Sequence, residues 1–336
     1  MQMQDLRDDN RLTSWIAAEV VLHFKSKLSF YPEENKTKLH KIIYLIADKY
    51  NIPITRGWYQ FGPFVYNNDV LNINYKDNIN KWSDEKYNIE EIRTSIKQYG
   101  FDVDEISSSI GNLTNKLIDK SADEFTYIIY NNYAPKEYKN IYLQKYSLTG
   151  SRTNIHNILN YYVPKLKYII TESPSDYINK ILGDVDLFQD TAFNTFDDPE
   201  LELITLHFFD AFRDLLLKIE FMLKTSSLTP DMISSIKLGQ SGFIEAVWTP
   251  YAANIMKNTA TGINKENARK MGYRARRTAL NKSSDVISSF NSTRRDLGLV
   301  LTYQDIKELN KYMRDHELDK NLWKLVKILS GVDNGK

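Results

Sequence analysis

Apolar residues recur with a helical period along most of this chain, which limits the range of folds open to it. Ile16, Val20 and Phe24, for example, are each four residues apart within residues 11–29. Side chains at this spacing share one face of an α-helix. We therefore predict a mainly α fold, whose further helices lie at residues 89–98, 103–120, 122–133, 154–170, 175–190, 199–224, 264–281, 283–290, 303–316 and 320–329.

The second helix has a well-formed apolar stripe. Its members are Leu39, Ile42, Ile43, Ile46, Ala47 and Tyr50. Pro32 breaks the chain before it, and Asn35 is a candidate N-cap because its side chain can accept a hydrogen bond from the first helical turn. Lys38, Lys41 and Lys49 fall off the stripe, so we expect them on other faces of the helix.

The helical pattern is interrupted after the second helix. The segment around residues 54–66 shows weak alternation of apolar and polar residues, which predicts a short extended stretch or hairpin. We place its turn at Gly62-Pro63, since Pro63 pushes the preceding residue out of the helical region.

Composition excludes several classes of protein. The chain has no cysteine, so it cannot use a disulfide scaffold, a thiolate nucleophile or cysteine-bound metal. Its 44 Lys and Arg residues are balanced by 43 Asp and Glu residues, which argues against a strongly basic nucleic-acid coat. The first eleven residues are polar, and no segment predicts a membrane helix. We expect a cytoplasmic protein.

A chain of 336 residues predicts about two domains. The small polar residues 147–152 are the best candidate linker, so we expect domains at residues 1–150 and 151–336. In the second domain, residues 199–224 carry apolar side chains on more than one face. Such a helix is typically central to a bundle.

One sequence pattern has a counterpart in a known family. The helix carries Lys38, Leu39, Lys41, Ile42, Tyr44 and Leu45, and the segment after it carries Trp58, Tyr59, Gly62 and Pro63. Residues 38–70 resemble the Panacea family, also called the SocA-like antitoxin domain, in residue type, order and spacing. The resemblance implies a helical interaction domain within residues 1–150, without catalytic residues, that binds and neutralises a partner toxin.

The aromatic segment is the candidate partner-binding site under this resemblance. Its residues are Trp58, Tyr59, Phe61, Gly62 and Pro63. The alternative is that these side chains pack in the core and form a turn. Both interpretations can hold together if Gly62-Pro63 fixes the loop while an exposed aromatic side chain anchors a partner.

Charge is segregated in the second half of the chain. Residues 171–202 hold nine acidic residues and one base, and residues 255–300 hold ten bases and three acidic residues. On a helix at residues 264–281, Lys270, Arg274 and Arg277 share one side, Arg269 and Arg276 share a neighbouring side, and the opposite apolar stripe is formed by Ala268, Met271, Ala275 and Ala279.

Three interpretations of this basic helix remain open. Its arginines suit phosphate, which predicts nucleic-acid binding in a mobile element or defence system. They could instead pair with acidic residues 184–202 of the same chain or of another copy in a homo-oligomer. The third interpretation is a solvated surface.

Catalytic and metal motifs are weak, and we predict no cofactor and no metal. His207, Asp210 and Asp214 share a helix side but have basic neighbours. Arg152 and His156 resemble the Arg–His motif of the HEPN ribonucleases, although three residues separate them where that motif needs at least four. Residues 239–242 do not form a phosphate-binding loop and are expected to separate two helices.

Overall fold

The computed structural model describes residues 2–28, 32–66, 89–150, 174–225 and 230–308. These residues are mainly helical, which confirms the predicted fold class. The helices are α1 (Gln2–Leu28), α2 (Pro32–Lys49), α3 (Ile89–Lys97), α4 (Val103–Leu117), α5 (Ala122–Tyr133), α6 (Lys139–Gly150), α7 (Pro174–Thr195), α8 (Pro199–Thr225), α9 (Pro230–Gly242), α10 (Thr249–Thr259) and α11 (Lys265–Asp296).

The remaining described elements are short. A π-helical segment, Phe243–Trp248, connects α9 to α10, and two strands, β1 (Arg56–Tyr59) and β2 (Gly62–Val65), form an antiparallel hairpin. This confirms the hairpin predicted around residues 54–66. The helices predicted at residues 154–170 and 320–329 lie outside the described residues, as do Arg152 and His156.

Several predicted helix ends are wrong. Helix α2 begins at Pro32, so Asn35 lies inside its first turn and is not the N-cap; a proline fits there because the first helical N–H has no partner within the helix. The helices predicted at residues 264–281 and 283–290 are one helix, α11. Ser283 does not break it, because its side chain is buried and donates a hydrogen bond to the Ala246 carbonyl at 2.8 Å.

Two predicted connections are also helical. Residues 239–242 belong to α9, where Gly239 and Gly242 lie under the rings of Phe212 and Phe208. Residues 147–150 of the expected linker form the last turn of α6. Leu148 is fully buried there and its carbonyl accepts a hydrogen bond from Gln240 at 3.1 Å, so tertiary packing overrides the polar composition.

The chain divides into two compact units. The first consists of Met1–Leu143 and Trp248–Ala279, and the second of Gln144–Val247 and Leu280–Lys336. This division differs from the two consecutive domains expected at residues 1–150 and 151–336. Residues 248–279 belong to the first unit because they bond to β1: the backbones of Arg56 and Thr261 exchange two hydrogen bonds of 3.1 and 2.9 Å, and the Trp58 N–H donates to Thr259 Oγ1 at 2.9 Å.

The core of the first unit is built on α1, α2 and α4, with the hairpin packed on α2. The predicted stripe of α2 is buried from Leu39 to Ala47. A buried carboxylate, Glu19, links three helices by accepting hydrogen bonds from Trp15, Arg93 and Ser107. These partners offset the cost of removing the charge from water.

The core of the second unit centres on α8, as predicted. Three successive residues, Leu215, Leu216 and Leu217, are all fully buried, so α8 is covered on more than one side. Three phenylalanines of α8, Phe208, Phe209 and Phe212, contact the rings of Phe188, Phe243 and Phe290 from other segments. The centroids of these contacting rings lie 5.5 to 6.3 Å apart.

Candidate functional site

The hairpin turn is the candidate site, and it lies in the first unit. Strand pairing places Trp58 opposite Pro63 and Tyr59 opposite Gly62. The turn residues are therefore Gln60 and Phe61, whereas the sequence predicted a turn at Gly62-Pro63. Gly62 instead opens β2 with φ of +96°, a conformation that side chains disfavour. A Cβ there would also lie 3.0 Å from the Tyr130 ring.

Three successive carbonyls of the turn accept hydrogen bonds from side chains. Tyr142 donates its hydroxyl to the Tyr59 carbonyl at 2.6 Å, and Trp248 donates Nε1–H to the Gln60 carbonyl at 2.8 Å. Lys41 donates from Nζ to the Phe61 carbonyl. The three donors come from α6, the last residue of the π-helical segment and α2, so three separate elements hold the turn.

The lysines of the family-like pattern are buried, although the sequence placed them on other faces of α2. Lys38 and Lys41 are only 7% and 3% exposed. Lys38 Nζ donates to the carbonyls of Ile118 and Lys120 at 2.8 and 2.9 Å, next to the end of α4. These carbonyls need donors from outside the helix, so the two lysines have structural partners.

Aromatic side chains form the floor beneath the turn. Trp58 is fully buried, and its Nε1–H donates to the Tyr44 hydroxyl at 2.9 Å. The Tyr142 ring lies 5.0 Å from Trp58, 4.9 Å from Tyr130 and 5.1 Å from Trp248. Edge and tilted contacts of this kind stabilise aromatic clusters beyond the area they bury.

Burial keeps the hydroxyls of this floor protonated. It raises the pKa of Tyr142 well above its ordinary value, and neighbouring tyrosines raise it further. Burial, together with the charge of Asp48, raises the pKa of Tyr44 to about 12. The hydroxyl of Tyr142 therefore remains a hydrogen-bond donor to the turn throughout the neutral pH range.

The five candidate partner-binding residues differ in exposure. Trp58, Gly62 and Pro63 are buried, and Tyr59 is partly exposed. Phe61 is 62% exposed at the tip of the turn. The structure thus places Trp58 in the core, as the alternative interpretation expected, and Phe61 at the surface of the turn.

A family model described as a domain of unknown function (DUF8098) matches residues 20–325. The chain belongs to this family. No curated protein and no solved structure matches the chain. The matched region includes both the hairpin and the basic helix, so one family covers both candidate sites.

The basic helix predicted at residues 264–281 falls within α11. Lys270, Arg274 and Arg277 are exposed, Arg276 is partly exposed, and Arg269 pairs with Glu266 at 2.8 Å. Of the predicted apolar stripe, Ala268 and Ala279 are buried, but Ala275 is partly exposed and Met271 is 39% exposed. Gly272 is buried beside Ala268 and Ala279 instead. A residue without a side chain allows α11 to approach α10 closely.

Part of the segregated charge is paired within the second unit. Asp186 of the acidic segment accepts from Arg213 at 2.7 Å. Arg294, counted among the bases of residues 255–300, is buried and pairs with Asp214 at 2.5 Å. These pairs account for individual charges and involve none of Lys270, Arg274 and Arg277.

The candidate metal residues are separated by their own partners. Asp214 pairs with Arg294, Asp210 lies 3.7 Å from Arg213, and His207 is exposed. Among the residues that the structure describes, no group of three His, Asp or Glu side chains is arranged to hold a metal ion. Within those same residues, no helix combines the length and apolar character needed to span a membrane.

The first unit also contains a cleft of about 460 Å³ beside the end of α2. Leu45, Leu113 and Tyr133 line it, and its polar rim includes Lys49 and Asp48. Lys49 donates to Ser109 at 2.8 Å and Asp48 pairs with Arg56 at 3.2 Å. Because these rim groups already have partners, the cleft is a weaker candidate than the turn.

Sequence reasoning missed the residues that hold the turn. Tyr142 and Trp248 lie far from the hairpin in sequence, and no local signal connects them to it. Lys41 did carry a signal, since it belongs to the family-like pattern, and a lysine repeated within a buried helix suggests a buried acceptor. Its acceptor, the Phe61 carbonyl, could not be named without the register of the hairpin.

Proposed function

We propose that this chain is a non-catalytic protein-binding module and that its hairpin turn presents Phe61 to a partner protein. The observation that carries the proposal is a turn with three successive carbonyls bound by buried donors and a phenylalanine 62% exposed at its tip. The partner is a toxin protein, which this chain neutralises.

The geometry supports binding because the turn is ordered before a partner arrives. Fixing a loop on association costs free energy, and a turn already held by Tyr142, Trp248 and Lys41 avoids most of that cost. An aromatic side chain that fills a pocket in the partner commonly dominates an interface. The expected partner surface is therefore an apolar pocket that accepts one phenyl ring.

The toxin identity rests on the family resemblance. Several residues that carry the resemblance help to build this turn: Lys41 donates to it, Tyr44 accepts a hydrogen bond from Trp58 beneath it, and Gly62 follows it as the first residue of β2. The pattern thus has a physical purpose in this chain. That purpose is the support of one exposed loop, as an antitoxin that acts by contact requires.

The test is rescue of growth by co-expression with the products of neighbouring genes. Wild-type protein should be harmless alone and should restore growth with one toxic neighbour. Phe61→Ala should abolish rescue and weaken binding of that neighbour by roughly 30-fold or more, the effect of a hot-spot residue. Leu203→Ala is the matched control, since Leu203 is 53% exposed on α8.

Equal melting temperatures would show that both variants remain folded. Rescue by Phe61→Ala at the wild-type level would overturn the assignment of the turn. Equal loss of rescue in Phe61→Ala and Leu203→Ala would overturn it as well, because the effect would then not depend on the turn.

A further inference from the structure

A second surface of the first unit lies outside the proposed function. The exposed face of α11 over its first half carries Lys270, Tyr273, Arg274 and Arg277. At three-, four- and seven-residue spacing these side chains share one side of the helix. The opposite side is buried through Ala268, Gly272 and Ala279.

Packing fixes the direction in which this face points. A Cβ added to Gly272 would lie 2.9 Å from the backbone nitrogen of Lys257, so α11 sits close against α10 at this point. The helix cannot rotate about its axis without placing a larger side chain in that contact. The exposed face is therefore a rigid surface.

The ring of Tyr273 lies among these positively charged side chains. Tyr273 is 64% exposed, and Lys257 Nζ lies 5.5 Å from the centre of its ring. A cation over one face of a ring holds the ring in position and leaves the other face available. Tyr66 lies nearby, where its hydroxyl donates to the sulfur of Met271.

The first turn of α11 does not neutralise the positive charge of this face. Glu266, the acidic residue of the first turn of α11, pairs with Arg269 at 2.8 Å. Within the described residues, no ion pair involves Lys270, Arg274 or Arg277. The face thus presents three positive charges, spaced about 6 and 10 Å along the helix axis from Lys270.

We infer that this face binds single-stranded nucleic acid. Lys270, Arg274 and Arg277 contact successive phosphates, and one base stacks on Tyr273. The three cations alone would suit any polyanion, including an acidic protein. The exposed tyrosine between them favours a nucleic-acid strand, because unpaired bases stack on aromatic side chains whatever their sequence.

The test is the affinity of the full chain for a fluorescent 12-nucleotide oligothymidylate at several salt concentrations. Each phosphate contact on a single strand contributes a slope of about −0.7 to log K against log salt. Three contacts therefore predict about 20-fold weaker binding at 200 mM than at 50 mM salt. Arg274→Ala with Arg277→Ala should reduce this loss to about threefold.

Tyr273→Ala should weaken binding at least about fivefold at every salt concentration and leave the slope unchanged. Tyr303→Ala is its control, since Tyr303 is 80% exposed. Lys237→Ala with Arg295→Ala removes two exposed charges elsewhere and controls for net charge. Phe61→Ala should bind the oligonucleotide normally, which separates this site from the proposed protein-binding turn.

Several results would overturn the inference. They are no binding at 50 mM salt, a slope changed equally by both charge variants, no difference between Tyr273→Ala and Tyr303→Ala, and equal competition by polyglutamate of matched charge. A 12-base-pair duplex that binds as tightly as the single strand would also contradict it, because paired bases cannot stack on Tyr273.

Discussion

Single polar side chains inside the first unit act as supports for backbone carbonyls. Lys38 donates to carbonyls next to the end of α4. Lys41, Tyr142 and Trp248 donate to carbonyls of the turn. A buried donor without an acceptor costs free energy, and so does a buried carbonyl without a donor. Donor and carbonyl therefore depend on each other, and loss of either partner should be measurable.

Tyr142→Phe tests one of these pairs. The variant keeps the ring in the aromatic cluster and removes the hydroxyl that donates to the Tyr59 carbonyl at 2.6 Å. We expect the free energy of unfolding to fall by about 1–2 kcal/mol at neutral pH. Denaturant titration measures it, and Tyr303→Phe, at an 80% exposed position, is the control. Equal stability of Tyr142→Phe and wild type would contradict the role of this hydroxyl.

The same tyrosine predicts a dependence of stability on alkaline pH. Burial raises the pKa of Tyr142, so the folded state favours the protonated hydroxyl more than the unfolded state does. Its contribution is complete below the ordinary tyrosine pKa of about 10 and is lost as pH rises above it. Above pH 10, the free energy of unfolding of the wild type should fall as pH rises. In Tyr142→Phe that fall should be shallower by up to about 1.4 kcal/mol per pH unit. An unchanged slope would contradict this.

The sequence revealed the residues of the pattern but not all of their roles. Aromatic side chains and glycine at a turn follow from composition, and Trp58 was allowed for as a core residue. Lys38 and Lys41 lie off the apolar stripe of α2, as predicted, but helical periodicity gave no sign that their faces are buried as well. Only tertiary structure shows which carbonyls they reach.

The sequence predicted the hairpin but did not predict the register in which β1 pairs with β2. Gly62 was interpreted as part of the turn because glycine and proline mark turns. In the structure it opens β2, and its positive φ of +96° lets the chain leave the turn while passing Tyr130 and Lys41 closely. Register depends on these contacts, which lie far apart in sequence.

Gly62→Ala tests how far this close approach restricts the hairpin. Gly100 is the control: it also has positive φ, +81°, but a Cβ there would meet no atom within 4 Å. Gly100→Ala should cost about 1–2 kcal/mol from the backbone conformation alone. Gly62→Ala should cost more, because its Cβ also lies 3.0 Å from the Tyr130 ring. Thermal unfolding compares them, and equal costs would show that crowding has no effect.

Helix α11 illustrates a second limit at this scale. The sequence predicted two helices here, at residues 264–281 and 283–290, whereas the structure has one. Ser283 lies next to the expected gap at residue 282, and its fully buried hydroxyl donates a hydrogen bond to the Ala246 carbonyl. A polar residue that satisfies a distant acceptor looks like a loop residue in sequence alone. The exposed cations on the first half were nevertheless identified correctly by their helical spacing.

Across the whole molecule, the chain returns to the first unit after forming part of the second. Residues 248–279 contribute Trp248 to the aromatic floor and Thr261 to the edge of β1. A boundary at residue 150 would remove both from the hairpin. Sequence composition cannot reveal such a return, because the segments are joined only by contacts.

Fragments test this organisation. A fragment of residues 1–150 lacks Trp248, and removal of a buried tryptophan commonly costs about 3–5 kcal/mol. We expect this fragment to unfold without a cooperative transition. Joining residues 244–279 to it through a long flexible Gly/Ser linker should restore cooperative unfolding, measured by near-ultraviolet circular dichroism. Cooperative unfolding of residues 1–150 alone, at the same temperature as the joined fragment, would contradict the division.

Site-specific photocrosslinking tests whether the supported turn presents Phe61 to a protein partner, as we propose. Benzoylphenylalanine replaces Phe61 in one variant and Leu203, 53% exposed on α8, in another. Both proteins are irradiated in cells of the native host, and crosslinked products are identified by mass spectrometry. We predict one discrete crosslinked protein from position 61 and none of that identity from position 203. Identical products from both positions, or none from position 61, would contradict the claim.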